Sequence, residues 1–336
     1  MPLAFGCAAV VLLLGTLLPL APSDHWMVRG FDFPRLQLLL AALGALGGAL
    51  LLLDRSALST RLVLAGLGVV IAWQSWWILP YTPILPREVL SAPATDDGRS
   101  LRILNANVLT PNREADRLLA LVRQHAPDLV ITLESDAWWE RQLAALAEDF
   151  PFAVKHPLDN LYGMHLYSRL ELREVSVEFL VEPDKPSIHA DVVLRSGEVV
   201  RLHVLHPAPP SPTENEESTP RDRELVVVAR RVAREGVPAI VAGDLNDVAW
   251  SRTTRAFRRI SGMLDPRVGR GMFNTYHADR WFMRWPLDHV FHTDDFTVRR
   301  IERLPGIGSD HFPLLSELHF EPAAAAEQEG LGATEG

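Results

Sequence analysis

Three long stretches without a charged residue open the chain: Leu3 to Pro22, Leu36 to Leu53 and Leu62 to Pro80. Each has about the twenty residues that a helix needs to cross the hydrocarbon core of a bilayer. One such stretch could be a buried helix of a soluble core, but three in succession predict three membrane-spanning helices. Trp26, Trp73, Trp76, Trp77 and Tyr81 fall near their ends, where amphipathic rings favour the membrane–water interface. The first stretch has no basic residues ahead of it and is followed by two like it, which argues against a cleaved secretory signal. Residues 1–81 are therefore read as a membrane anchor, with spans at about 3–22, 36–53 and 62–80. The connection from Asp54 to Arg61 is short and carries two Arg, which favours the cytoplasmic side. That orientation places everything after Tyr81 outside, as the extracytoplasmic part of a multi-pass protein of the cell (inner) membrane.

Beyond the anchor the pattern changes. Residues 82–100 are rich in Pro, Gly and small polar residues and read as an exposed linker. Residues 321–336 have little to bury and read as a disordered tail. Between them, 101–320 alternates short apolar runs with amphipathic segments, the pattern of an α/β domain. Leu101–Val108 reads as a strand, 113–125 as a helix, and Leu129–Leu133 as a second strand that delivers Glu134 at its end. A helix at 138–146 is followed by a β-rich middle that begins at Tyr162–Arg169, with strands at about 172–181, 187–194 and 198–205, the last two joined by a Ser196–Gly197 turn. The loop from Pro207 to Pro220 reads as a flexible rim. Helices at 221–235 and 251–260 enclose a strand that stops at Gly243, and strands at 286–291 and 315–320 complete the domain.

Several polar residues sit where such strands end, which is where open α/β sheets bind ligands. Asn107 and Glu134 close the first two strands, and Glu134 is suited to ligate a metal through oxygen. Asp244 and Asn246 project from the strand before them, a carboxylate and an amide suited to orienting a water beside a phosphate. The plainer alternative for Gly243–Asn246 is a strand-to-helix turn. His206 follows a strand and is a candidate phosphate contact or proton donor. Asp288 lies on a strand, and Asp310 adjoins His311, where a carboxylate can fix an imidazole. His203 reads as structural, and His289 and His292 as strand or surface histidines. Arg252, Arg255, Arg258 and Arg259 read as a solvated helix face, with neutralisation of a phosphate as the alternative.

The chain is acidic, with a formal net charge of −9, and the excess lies beyond residue 86. That balance argues against a broad nucleic-acid footprint, which needs a basic face. The lone cysteine, Cys7, excludes an intrachain disulfide.

Asn107, Glu134, the Gly-Asp-Leu-Asn run at 243–246, Asp288 and the Ser-Asp-His run at 309–311, in that order, resemble the endonuclease/exonuclease/phosphatase (DNase I-like) superfamily over about residues 100–320. Three apolar spans followed by such a domain resemble its membrane-anchored bacterial members. The resemblance implies a four-layer α/β sandwich with two packed mixed β-sheets, and Mg2+- or Mn2+-dependent attack of water on a phosphate ester. It also implies roles. Glu134 binds the metal with Asn107 and Asp310 close by, and Asp244 orients or deprotonates the water. Asn246 holds a phosphate oxygen, His311 contacts the phosphate and is oriented by Asp288, and His206 assists as a donor. Leu133 stands where many members carry Gln. The expected partners are the lipid bilayer and a phosphorylated substrate such as a lipid-linked phosphate. A tethered nuclease and a non-enzymatic binding module are the alternatives.

Overall fold

The computed structural model describes residues 2–93 and 97–332. It begins with helices α1 (Pro2–Leu17), α2 (Trp26–Arg29), α3 (Arg35–Leu52) and α4 (Leu58–Ile78). Three segments, Pro2–Leu20, Arg35–Leu52 and Leu58–Tyr81, are long and apolar enough to cross a membrane. They pack on each other through Ala9, Leu12, Ala42, Leu67 and Val70. Small residues allow close approach: a Cβ on Gly48 would meet the Phe5 ring at 3.0 Å. The outward faces carry exposed Leu3, Val11, Leu51, Leu62 and Trp76.

The remainder contains β1 (Ser100–Asn107), α5 (Ala115–His125), β2 (Leu129–Leu133), α6 (Ala137–Leu143), β3 (Phe152–His156) and β4 (Met164–Ser168). After these come β5 (Leu172–Glu178), β6 (Ser187–Val193), β7 (Val199–Leu205), α7 (Thr219–Glu235) and β8 (Ala239–Asp244). The last elements are α8 (Arg252–Ser261), β9 (Asp288–His292), β10 (Phe296–Arg303) and β11 (Leu314–Phe320). One sheet has six strands in the order β10-β11-β1-β2-β4-β3, and the other has five, β5-β6-β7-β8-β9. Both are mixed, since β1 runs parallel to β2 and β7 to β8 while the other pairs are antiparallel.

The inner faces of the two sheets meet in the main core, which includes Ile103, Ile131, Leu166, Ile188, Val204 and Val290. Helices α5 and α6 cover the outer face of the six-stranded sheet through Leu118, Val122, Trp139 and Leu143. Helices α7 and α8 cover the other sheet through Leu225, Val228, Val232 and Phe257. The result is the expected four-layer sandwich. Strands β3 and β10 were not expected from the sequence. Both are edge strands, and β3 alternates exposed with half-buried residues, so neither carries a continuous apolar run.

Segments expected to be loose are packed. In the stretch read as a linker, Val89 is buried, Ser91 bridges to Val298, and Glu88 pairs with the buried Arg258. In the stretch read as a tail, the Gln328 side chain accepts from Leu90 N (2.7 Å) and donates to Phe296 O (3.0 Å). Gln328 thereby satisfies backbone groups beside the β10 edge, a role invisible in composition. The remaining parts of these two expectations, 94–96 and 333–336, lie outside the described residues. The 207–220 loop also has fixed partners: Trp26 N donates to Glu216 O and Ser218 N to Asp24 O, both at 2.8 Å.

Candidate active site

The carboxyl ends of β1, β2 and β8 converge on one cleft of about 300 Å³. Glu134, His206, Asp244, Asn246, Asp310 and His311 line it, with Asn107 and Asp288 hydrogen-bonded behind them. All eight residues picked out in the sequence therefore come together.

The end of β8 and the turn that follows it are held in an unusual shape. Gly243 has φ +144°, and a Cβ there would lie 1.9 Å from Leu205 O on the adjacent strand, so only glycine fits. Asn246 has φ +49°, in the left-handed region that asparagine tolerates. Its backbone carbonyl accepts from the buried Arg221 (2.8 Å) and its side-chain nitrogen donates to Pro207 O (3.0 Å). Asp244 is thus aimed from a braced turn. One of its oxygens accepts from Asn246 N at 2.9 Å, and the other from Asn107 Nδ2 at 3.1 Å. The turn reading and the functional reading of this stretch are compatible, because the turn positions the carboxylate.

Asn107 Nδ2 also donates to Glu134 Oε1 at 2.8 Å, while Asn107 Oδ1 accepts from Leu109 N. In this arrangement its amide nitrogen, rather than an oxygen, faces the carboxylates, so Asn107 organises Glu134 and Asp244. Glu134 sits in the left-handed region with φ +59°. Its Oε2 is buried with no hydrogen-bond partner among the described residues. Burial pushes its carboxyl up to about 7, partly offset by the Asn107 hydrogen bond. A desolvated, unsatisfied carboxylate oxygen beside Asp244 and Asp310 fits a hard divalent cation, which would repay the desolvation.

His311 is bound on both sides. Its Nδ1 lies 2.8 Å from Asp288 Oδ2 and its Nε2 3.4 Å from Asp244 Oδ2. Burial alone would depress its pKa, but the flanking carboxylates of Asp244 and Asp288 outweigh burial and raise it to about 10. Burial in turn pushes the Asp244 carboxyl up, and the His311 cation opposes that. Asp288, rather than the neighbouring Asp310, is the orienting carboxylate. Asp244, Asp288 and His311 also present ligand atoms within 4.8 Å of one another. Both imidazole nitrogens already face carboxylates, so this trio is better read as a hydrogen-bonded chain than as a metal site.

His206 Nε2 lies 3.9 Å from Asp244, and its ring packs against Tyr162. Burial lowers it to about 4, so at neutral pH it is an uncharged imidazole that offers a hydrogen bond rather than a cation. The arginines of α8 do not line the cleft. Arg258 is buried against Glu88, Arg252 pairs with Asp24, and Arg255 lies over Trp77, so this face meets segments that precede the sandwich. His203, His289 and His292 are buried and hydrogen-bonded in the fold.

Sequence reasoning missed four residues here. Asn105 Nδ2 donates to Asp288 Oδ1 (3.1 Å), and its only signal was a second asparagine two positions before Asn107. Arg221 supports the Asn246 turn from behind. Tyr276 packs on His311 with ring centroids 4.9 Å apart, and Phe33, from the connection between α1 and α3, lines the cleft wall. Nothing local marks the last two, because their role depends on which distant element they meet.

Comparison with known proteins agrees with the fold. No curated protein sequence matches. Among solved structures, zebrafish (D. rerio) TDP2 complexed with single-strand DNA product is 18% identical, with 67% of this chain and 100% of that chain covered and a TM-score of 0.56. The human Nocturnin catalytic domain with bound sulfate is 16% identical, covering 67% and 96%, at 0.55. An endonuclease/exonuclease/phosphatase from Beutenbergia cavernae is 18% identical, covering 66% and 72%, at 0.54. At these identities the likeness shows a shared fold. The sequence profile of the Endonuclease/Exonuclease/phosphatase family matches residues 104–311, a span that runs from the strand ending in Asn107 through His311. The chain belongs to that family of metal-dependent phosphoester hydrolases.

Proposed function

We propose that the chain is a membrane-anchored, Mg2+- or Mn2+-dependent phosphoesterase that hydrolyses a phosphate ester or pyrophosphate at the membrane surface, with a lipid-linked phosphate as its substrate. One observation carries the reading: Phe33, from the connection between the first two membrane-length helices, is part of the wall that encloses Glu134, Asp244 and His311. A site for soluble polymers has no evident need of a membrane connection in its wall. The acidic chain, with its formal charge of −9, also disfavours DNA as the substrate.

In this reading Glu134 and Asp310 would hold the cation, which would supply positive charge to the phosphate oxygens and lower the pKa of a nearby water. Asp244, fixed by Asn246 N and Asn107, orients that water and takes its proton. The His311 imidazolium, fixed by Asp288, neutralises charge that develops on the phosphate. Asn246 offers its second amide hydrogen to a phosphate oxygen, and His206 donates a hydrogen bond on the leaving-group side. The anchor orientation proposed from the Arg55/Arg61 connection places this chemistry outside the cytoplasm. The catalytic unit is taken as 101–320, extended by the packed 87–93 and 321–332.

The test uses the full chain in nanodiscs with phosphomonoesters, phosphodiesters, a polyprenyl pyrophosphate and plasmid DNA. Phosphate release from the lipid is expected with Mg2+ or Mn2+, with none after chelation or in Asp244→Ala. Cleavage of the plasmid without lipid hydrolysis would replace this reading with the tethered nuclease. A wild-type chain inactive on every substrate would favour the binding module.

A further inference from the structure

We infer that the loop from His277 to Trp285 inserts Trp281 and Phe282 into the interfacial zone of the bilayer that holds the three helices, so that the cleft receives an amphiphilic phosphate directly from the lipid. The inference rests on the membrane-anchored reading above and adds the surface and the route.

Trp281 is 80% exposed and Phe282 55%, side by side in one loop. The loop is folded: Tyr276 N donates to Trp285 O at its base (3.0 Å), and Met283 N to Arg280 O at its tip (2.9 Å). The two rings meet edge to face, 5.8 Å between centroids. A structured loop that presents two large aromatics outward needs an apolar partner, because such side chains dominate burial energetics.

The position identifies that partner. Phe282 O accepts from Gln37 Nε2 at 3.0 Å, and Gln37 belongs to the first turn of α3. The aromatic tip therefore lies level with the point where a membrane-length helix begins. The exposed Arg280 beside it supplies the basic flank that accompanies interfacial aromatics.

The base of the loop leads to the chemistry. Trp285 packs on Phe33, with centroids 5.6 Å apart, and stacks on Tyr276 at 6.0 Å. Tyr276 packs on His311, so a continuous aromatic wall runs from the anchor connection to the imidazole. A headgroup can follow this wall into the cleft while its tail stays in the apolar phase.

The experiment uses the full chain in a Cys7→Ser background. Trp281→Cys carries an environment-sensitive fluorophore, and nanodisc lipids carry quenchers at defined depths. Ser196→Cys serves as the reference, because the β6–β7 turn lies at the opposite end of the sheet from the cleft. Blue-shifted emission at 281, quenched by shallow lipid labels, with solvent-like emission at 196, is expected. In parallel, the double variant Trp281→Asp/Phe282→Asp should lower turnover of a nanodisc-borne long-chain polyprenyl pyrophosphate by about tenfold or more. Turnover of soluble isopentenyl pyrophosphate should be unchanged. Solvent-like emission at 281, or equal activity of variant and wild type on the nanodisc substrate, overturns the inference. If the acidic variant loses both substrates through misfolding, the fluorophore result decides. A wild-type chain inactive on both pyrophosphates, with its 281 label in lipid, would retire the substrate reading and leave the insertion standing.

Discussion

Both oxygens of Asp244 are engaged before substrate arrives, by Asn246 N on one side and by Asn107 and His311 on the other. Asp244→Ala is expected to lower turnover by about 10²–10⁴, the usual contribution of a positioned base. Relief of a desolvated carboxylate and loss of the partner to His311, Asn107 and Asn246 N oppose each other in stability, so a thermal melt run beside the kinetics separates the catalytic defect from unfolding. Gly243→Ala acts in the opposite way. Its Cβ would collide with Leu205 O, so loss of folded protein in the melt is expected rather than a purely kinetic defect. At this scale much of the site was legible, because polar residues directly after buried strands announce themselves. Asn105 was not, since a second asparagine inside a strand looks like a packing residue until Asp288 is placed opposite it.

The interior elements follow from their apolar runs, as the close agreement at β2, β6, β7 and β8 illustrates. The edge strands β3 and β10 do not, because their pairing is dictated by neighbours rather than by their own side chains. One pair of interior strands carries a liability. His189 on β6 and His203 on β7 are buried with their Nδ1 atoms 2.7 Å apart, so one donates and the other accepts. Burial lowers His189 to about 4 and His203 to about 3, against about 6.5 in an unfolded chain. The unfolded state therefore binds protons first, and the stability present above about pH 6.5 is lost as pH falls toward 4. Melting temperatures of the full chain measured across that window should drop steeply. The double variant His189→Leu/His203→Leu should make the acid limb shallower, because it removes two titrating groups together, while Ser187 Oγ, which loses His189 Nε2, keeps Glu178 O.

For the whole molecule, the N-terminal helical region and the sandwich share a core. Ile78 and Tyr81 pack with Val248, Ala249, Trp250 and Leu287, and Tyr81 OH donates to Ala249 O at 3.0 Å. Composition could not reveal this, since a Pro-rich stretch reads the same whether free or docked. A fragment that begins at residue 95 would remove Glu88 and leave Arg258 buried without that partner. Glu88→Ala in the full chain isolates the effect, with an expected loss of about 3–5 kcal/mol in stability, read from denaturant or thermal unfolding. The bond from Trp250 Nε1 to Asp32 O joins positions 218 residues apart. During synthesis that separation corresponds to roughly 10–40 s, so the connection between α1 and α3 must wait before its partner is made. The wall of the cleft is therefore completed late, and a nascent chain can form its first helices well before it can hydrolyse anything.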